Sequence, residues 1–193
     1  MPMNIPNILT LGRIVMIPVF GLVFFLPFSW ANVVAAAVFG LAAITDWADG
    51  YLARKLNQTS AFGAFLDPVA DKLMVAVALI ALLVANPTPL FALAVAVIIG
   101  REITVSALRE WMAELGKRAK VAVNAIGKFK TAAQMIAILL LLYRDDLLGV
   151  PIYTLGMVLL YVAAGLTLWS MIVYLRAALE VIREEEHGGG KRA

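Results

Sequence analysis

The sequence contains no cysteine and only one histidine among its 193 residues. Without cysteine, the chain cannot form a disulfide, bind a metal through thiolates or use a cysteine nucleophile. The histidine, His187, lies in the polar stretch EEEHGGGKRA near the C-terminus, which argues against a histidine metal site or a Ser–His catalytic triad. Any chemistry that this protein performs must therefore depend on other side chains.

Charged residues are also scarce. They make up 15% of the chain, whereas hydrophobic residues make up 63% and the mean hydropathy is +0.91. A soluble domain is about half apolar and about a quarter charged. The composition therefore excludes a disordered chain and an ordinary cytosolic enzyme, and it indicates one domain of a helical membrane protein. The net charge of +3 fits basic cytoplasmic loops better than nucleic-acid binding.

Six apolar stretches are long enough, or nearly so, to cross a bilayer, which takes about 20 residues in a helix. They cover residues 8–27, 31–49, 69–85, 90–108, 131–143 and 152–175. If both termini are cytoplasmic, 15 of the 16 Lys and Arg residues fall on the cytoplasmic side, and Arg144 falls on the other. This asymmetry predicts an all-α integral membrane protein with six transmembrane helices and cytoplasmic termini. We expect residues 1–183 to form the membrane domain and residues 184–193 a disordered cytoplasmic tail.

Four aspartates flank a polar segment, residues 51–66, that we expect to form a cytoplasmic loop. Asp46 and Asp49 are three apart at the end of the second span, and Asp67 and Asp71 are four apart at the start of the third. Each spacing places its pair on one face of a helix. We expect Asp67 to cap the third helix, with the proline that follows it, Pro68, at the first helical position. Antiparallel helices would then bring all four carboxylates to one depth, at the cytoplasmic side.

The energy of such a cluster favours a bound cation. An acid in the middle of a spanning helix costs about 2.5–3.5 kcal/mol, and four like charges also repel one another. Carboxylate oxygens at this density suit Mg²⁺ or Mn²⁺, and two such ions about 3.5–4 Å apart can serve phosphoryl transfer. Three small residues beside the acids, Gly50, Ala53 and Gly63, would let a ligand approach the backbone closely. A divalent-cation transporter is the alternative from another class, although the acids cluster at one level instead of forming a path.

The residues from Asp46 to Asp71 spell D-x2-D-G-x2-A-R-x8-G-x3-D-x3-D. In this pattern the chain resembles the CDP-alcohol phosphatidyltransferases, a family of integral membrane enzymes of phospholipid synthesis. Other stretches also look like bacterial members of that family, namely NIPNILTLGRI, FGAFLDPVADK, REITVSALREWMAELGK and GKFKTAAQM. The resemblance extends over nearly the whole chain, up to about Glu184.

The resemblance implies a reaction, in which a phosphatidyl group passes from CDP-diacylglycerol to sn-glycerol 3-phosphate and CMP leaves. It assigns Asp46, Asp49 and Asp67 to two divalent cations, Mg²⁺ or Mn²⁺. It assigns Asp71 as the base that takes the acceptor's proton, with a metal contact as well. It also implies a homodimer in the bacterial inner membrane. Because the motif is shared within the family, the acceptor could instead be inositol phosphate, serine or phosphatidylglycerol.

The same resemblance implies pockets for the two substrates. Residues of the motif and of the N-terminal stretch would line the CDP-diacylglycerol pocket, namely Pro6, Asn7, Thr10, Gly50, Ala53, Arg54, Ser60 and Gly63. Glycerol 3-phosphate is a small dianion, so its pocket needs cations from the cytoplasmic helix ends. We expect these to be Arg109, Lys128 and Lys130, with Arg118 and Arg101 behind them.

Overall fold

The computed structural model describes residues 5–56, 61–114 and 125–189. In these ranges the chain folds into six helices: α1 (Ile5–Phe24), α2 (Ala31–Leu56), α3 (Ala61–Ala85), α4 (Pro89–Glu114), α5 (Ala125–Tyr143) and α6 (Ile152–Gly189). The all-α prediction is therefore confirmed for the described part of the chain.

Four of the helices carry apolar stretches long enough to cross a membrane: Asn7–Phe24, Phe65–Ala85, Pro89–Glu114 and Ile152–Arg176. The apolar stretches of α2 and α5 are shorter, Ala31–Asp46 and Lys130–Tyr143. Each helix exposes large apolar side chains, and Leu22, Phe65 and Ile103 are 72%, 69% and 66% exposed. A surface so rich in apolar side chains is suited to lipid, because soluble proteins rarely expose large apolar patches. The protein is therefore an integral membrane protein.

The helices pack into one bundle. Helix α1 packs against α2 and α3, α5 packs against α6 and α2, and α4 packs against α6 and α3. Every helix contributes buried side chains to the shared core, among them Phe20, Phe39, Leu79, Phe91, Ile138 and Leu160.

Two hydrogen bonds tie helices together at the end of the bundle farthest from Asp46, Asp67 and Asp71. The side-chain amide of Asn32 donates to the carbonyl of Tyr143 at 2.8 Å, and that of Asn86 donates to the hydroxyl of Tyr153 at 2.8 Å. The first bond joins α2 to α5, and the second joins the turn after α3 to α6. These bonds hold the helices together at the end opposite these three acids.

The helices extend further into the predicted loop than the sequence analysis expects. Helix α2 continues to Leu56 and α3 begins at Ala61, so the loop predicted over residues 51–66 is wrong at both ends. The segments YLARKL and AFGAFL consist mostly of residues that favour helix or are apolar, which accounts for their helical structure. Residues 57–60 lie outside the described ranges.

The predicted cap at Asp67 is also wrong, because Pro68 lies inside α3. Proline has no N–H to donate within the helix, but membrane helices tolerate it when neighbouring groups satisfy the backbone. Asp67 and Asp71 therefore both project from a continuous helix, which fixes their relative positions more firmly than a loop or a helix end would.

The C-terminal helix is longer than its apolar stretch. Helix α6 continues to Gly189, into residues that the sequence analysis expects to be disordered from Glu184 onward. Residues 190–193 lie outside the described ranges, and the domain boundary at residue 183 stays a prediction. In the middle of α6, Tyr174 packs with Leu108 against the fully buried Met112, which connects the last turns of α4 to α6.

The contact between α5 and α6 generates a prediction about stability. A Cβ atom at Gly156 would lie 3.0 Å from Leu141 Cγ and 3.1 Å from Leu141 N, whereas a Cβ atom at Gly165 would meet nothing within 4 Å. Gly156→Val should therefore overpack this contact and cost about 2 kcal/mol. In thermal unfolding of the purified protein, we expect its midpoint to fall by about 4–8 °C.

Gly165→Val is the matched control for this experiment, because it places the same side chain on the same helix in open space. Its midpoint should stay within about 2 °C of that of the unmodified protein. Equal losses for the two variants would contradict the close approach of α5 and α6 at Gly156.

Candidate active site

A cavity of about 700 Å³ lies between α1, α2, α3, α4 and α5. Three of the four predicted acids line it together, Asp46 from α2 and Asp67 and Asp71 from α3. The two helices are antiparallel neighbours in the chain, so the end of one apolar stretch meets the start of the next. The structure therefore brings carboxylates from both halves of the motif to one site.

A buried arginine from α1 connects two of these acids. Arg13 Nη1 lies 3.0 Å from Asp46 Oδ1, and the same nitrogen donates a hydrogen bond to Asp71 Oδ1. The Arg13 side chain is 1% exposed, whereas those of Asp46 and Asp71 are 44% and 40% exposed. The guanidinium therefore bridges the two carboxylates and lines the cavity beside them, and both carboxylates remain partly exposed.

The third acid is also held by α1. The Thr10 hydroxyl donates a hydrogen bond to Asp67 Oδ1, and Thr10 is 2% exposed. Thr10 lies three residues before Arg13, so both side chains project from the same face of the helix. One face of α1 thus contacts Asp46, Asp67 and Asp71, and it sets how these three carboxylates stand relative to one another.

The acids match the chemistry of a hard divalent cation. The donors are carboxylate oxygens, which Mg²⁺ and Mn²⁺ prefer, and Asp46 and Asp71 already converge on one positive group. Within the described ranges, no group of three or more His, Cys, Asp or Glu side chains is close enough to hold a metal ion. Asp49 lies on α2 one turn after Asp46, but its side chain is outside the structural description. The described carboxylates are therefore the right type of ligand for Mg²⁺ or Mn²⁺, and Asp49 is the remaining predicted ligand.

Polar residues of α4 and α5 form another wall of the cavity. Arg101 is 7% exposed and pairs with the adjacent Glu102. Lys72 donates a hydrogen bond to the Ser106 hydroxyl, which in turn donates to the backbone carbonyl of Glu102 at 2.6 Å. Two residues of α5, Thr131 and Gln134, complete this wall. The cavity therefore combines an acidic side with a side that carries a buried cation.

The structure describes only part of the predicted nucleotide pocket. Asn7 and Thr10 are buried on α1, and Gly63 is buried on α3. Thr10 contacts Asp67, and its predicted contact with the nucleotide stays a prediction. Four predicted residues lie in helices, but their side chains are outside the description: Pro6, Gly50, Ala53 and Arg54. Ser60 lies outside the described residues.

The predicted acceptor residues are spread over α4 and α5. Arg101 lines the cavity, and Lys130 is fully buried beside the cavity-lining Thr131. Arg109 and Lys128 lie on α4 and α5, but their side chains are outside the description, and Arg118 lies outside the described residues. Arg101 is therefore the predicted acceptor residue that the structure places at the cavity.

Sequence reasoning missed Arg13, although a signal was present. Arg13 interrupts the apolar run TLGRIVMIP, and a cation inside a membrane helix costs energy unless it is paired. The argument that singled out the aspartates therefore applies equally to this arginine. For Ser106 and Gln134, which also line the cavity, the sequence offers no comparable signal, because polar uncharged residues are common in membrane helices.

Comparisons with known proteins connect this cavity to a family. The sequence profile of the CDP-alcohol phosphatidyltransferases matches residues 3–169. The chain is 56% identical over 179 residues to a protein of Sodalis glossinidius and 54% identical over 178 residues to one of Salmonella typhimurium. In both cases the match covers 92% of this chain and 96% of the relative. Both relatives are named CDP-diacylglycerol–glycerol-3-phosphate 3-phosphatidyltransferase.

The bond between Thr10 and Asp67 generates a prediction that requires no substrate. Thr10→Val keeps the shape of the side chain but removes the hydroxyl, and losing a hydrogen bond to a charged group costs about 1.5–3 kcal/mol. In thermal unfolding, we expect the midpoint to fall by about 5 °C. Thr10→Ser retains the hydroxyl and should lose less than half as much. A serine variant as unstable as the valine variant would contradict the hydrogen bond.

Proposed function

Because the chain belongs to the CDP-alcohol phosphatidyltransferase family, we propose that it transfers the phosphatidyl group of CDP-diacylglycerol to sn-glycerol 3-phosphate. The products are phosphatidylglycerol phosphate and CMP. The main structural support is that three acids of the family motif line one cavity, whose α4 wall carries the buried Arg101. Acids and a cation in one cavity suit the joining of a pyrophosphate donor with a phosphate-bearing acceptor.

In the proposed reaction, the acceptor hydroxyl oxygen attacks the β-phosphorus of CDP-diacylglycerol. The new P–O bond forms as the bond to CMP breaks, and CMP leaves with the bridging oxygen. The proton of the attacking hydroxyl passes to the Asp71 carboxylate, which is 40% exposed and lines the cavity. A carboxylate within reach of the hydroxyl can serve as such a base.

The acids would also bind and orient the donor through divalent cations. Two Mg²⁺ or Mn²⁺ ions held by Asp46, Asp49, Asp67 and Asp71 would neutralise the pyrophosphate and stabilise the departing phosphate. The bond from Thr10 keeps the carboxylate of Asp67 in place for this role. With the predicted nucleotide contacts, the cytidine would lie beside the N-terminal part of α1.

Arg101 is our proposed contact for the phosphate of the acceptor. Its side chain is buried, its Nε atom has no hydrogen-bond partner within the described residues, and it lines the same cavity as Asp71. A phosphate oxygen would satisfy such a donor with a charge-assisted hydrogen bond. Arg109, Lys128, Lys130 and Arg118 stay the further predicted cations of this pocket.

We place the protein in the bacterial inner membrane with six spans and cytoplasmic termini. Asp46 lies toward the end of α2 and Lys130 toward the start of α5, so both helices carry charge at the end of the bundle that holds the cavity. Arg144 lies at the other end of the bundle, with its guanidinium 5.9 Å from the Phe24 ring centroid. This distribution of charge supports a cavity that opens toward the cytoplasm. The homodimer stays a prediction.

A CMP-release assay with several acceptors tests the proposed function. Purified protein supplied with CDP-diacylglycerol and Mg²⁺ should release CMP with sn-glycerol 3-phosphate. Release should be much lower with inositol phosphate, serine or phosphatidylglycerol, and it should stop on chelation. Asp71→Asn should lower turnover by at least about 100-fold, as expected for loss of a general base. Another acceptor that works better, or undiminished release in excess chelator, would contradict the proposal.

Substitution of Arg101 tests the acceptor pocket separately. Arg101→Gln removes the charge, and losing a charge-assisted contact should raise the KM for sn-glycerol 3-phosphate about 10–100-fold. The KM for CDP-diacylglycerol should change less than about threefold. Arg144→Gln, at the other end of the bundle, is the matched control and should alter neither value. Equal increases in both KM values for Arg101→Gln would show that the acceptor pocket lies elsewhere.

A further inference from the structure

We propose that Arg13 is a positioning residue, which fixes Asp46 and Asp71 for divalent-cation binding before any cation arrives. The inference rests on the proposed function, because it concerns the cations that the proposed reaction uses. It goes beyond that function by assigning a role to a residue outside the D-x2-D…D-x3-D pattern.

A single nitrogen atom of Arg13 contacts acids on two other helices. Arg13 Nη1 contacts Oδ1 of Asp46 on α2 and Oδ1 of Asp71 on α3, while Arg13 itself belongs to α1. Because a single nitrogen makes both contacts, the two carboxylate oxygens must lie close to each other. The position of α1 therefore determines the separation between an acid of the first pair and an acid of the second.

Arg13 is the buried member of both ion pairs. Its side chain is 1% exposed, whereas those of Asp46 and Asp71 are 44% and 40% exposed. The guanidinium lines the cavity beside the two carboxylates, so it can orient them while their exposed parts bind a cation. Partners that orient metal ligands typically change metal affinity about 10–100-fold when removed.

Electrostatics explains why the site needs such a residue. Two carboxylates held close together repel each other, and without a shared counter-ion these half-exposed side chains would turn apart. Lys72 also lines the cavity, but its hydrogen bond goes to the Ser106 hydroxyl. Both cations reduce the negative charge of the cavity, but Arg13 is the one whose described contacts bridge Asp46 and Asp71.

Substitutions of Arg13 and of Lys72 should affect Mn²⁺ binding differently: the first should weaken it and the second should not. Mn²⁺ binding to the full-length protein in detergent can be measured by electron paramagnetic resonance, without substrate. Arg13→Gln should raise the Kd for Mn²⁺ about 10–100-fold, because the carboxylates lose their alignment. Lys72→Met removes the same charge from the same cavity and should leave the Kd unchanged or lower it. Arg13→Lys keeps the charge but lacks the planar guanidinium with its several N–H donors. Its Kd for Mn²⁺ should lie between those of the unmodified protein and Arg13→Gln.

Thermal unfolding in chelator separates positioning from simple support of the fold. Arg13→Gln leaves two half-exposed acids without their shared partner and should lower the midpoint by about 5 °C. A purely structural role would lower the midpoint but leave Mn²⁺ affinity unchanged at temperatures where the variant is folded, and that result would overturn the inference. If Arg13→Gln does not fold, the Kd of Arg13→Lys compared with that of Lys72→Met decides the question.

Two further results would overturn the inference. The first is a Kd of Arg13→Gln or Arg13→Lys equal to that of the unmodified protein. The second is an equal loss of affinity in Lys72→Met, which would show a general effect of cavity charge. Either result leaves the proposed function intact if the unmodified protein still releases CMP with sn-glycerol 3-phosphate. Failure of the unmodified protein to release CMP would instead contradict the proposed function.

Discussion

The balance of charge in the acidic cavity constrains the arrangement of the helices around it. Arg13 is 1% exposed in a bundle whose outer surface is apolar, and a buried charge without a partner is costly. Asp46 of α2 and Asp71 of α3 supply its partners, and Thr10 on the same face of α1 donates to Asp67 of α3. The packing of α1 against α2 and α3 is therefore required by electrostatics as much as by apolar contacts.

This constraint also divides the cavity into two parts with different chemistry. On the side of α1, α2 and α3, carboxylates are held by an arginine and a hydroxyl, an arrangement that prepares oxygen donors for cations. On the side of α4, Arg101 and Glu102 form an adjacent pair, and the Nε atom of Arg101 lacks a partner among the described residues. The first part suits a pyrophosphate bound through metal ions, and the second suits a phosphate bound directly. A transferase that joins two phosphate-bearing substrates requires both.

The sequence predicted local features of this protein better than pairings between distant residues. Apolar stretches identified the helices, and the motif identified both the family and the acids that line the cavity. The bridge from Arg13 to Asp71 joins residues 58 apart, and no periodicity along the chain specifies which helix α1 will contact. The loop over residues 51–66 was mispredicted for a different reason. Its polar residues suggested a loop over the whole segment, whereas YLARKL and AFGAFL at its two ends are helical.

The placement of charge along the helices bears on where the chemistry lies relative to the membrane. Asp46 lies toward the end of α2, and Asp67 and Asp71 lie toward the start of α3. Charged side chains are costly at the centre of a bilayer, so this placement supports the proposal that the cavity lies at the membrane boundary. A lipid-linked donor held in the bilayer and an acceptor dissolved in water can meet at that boundary, which is where the proposed reaction requires them.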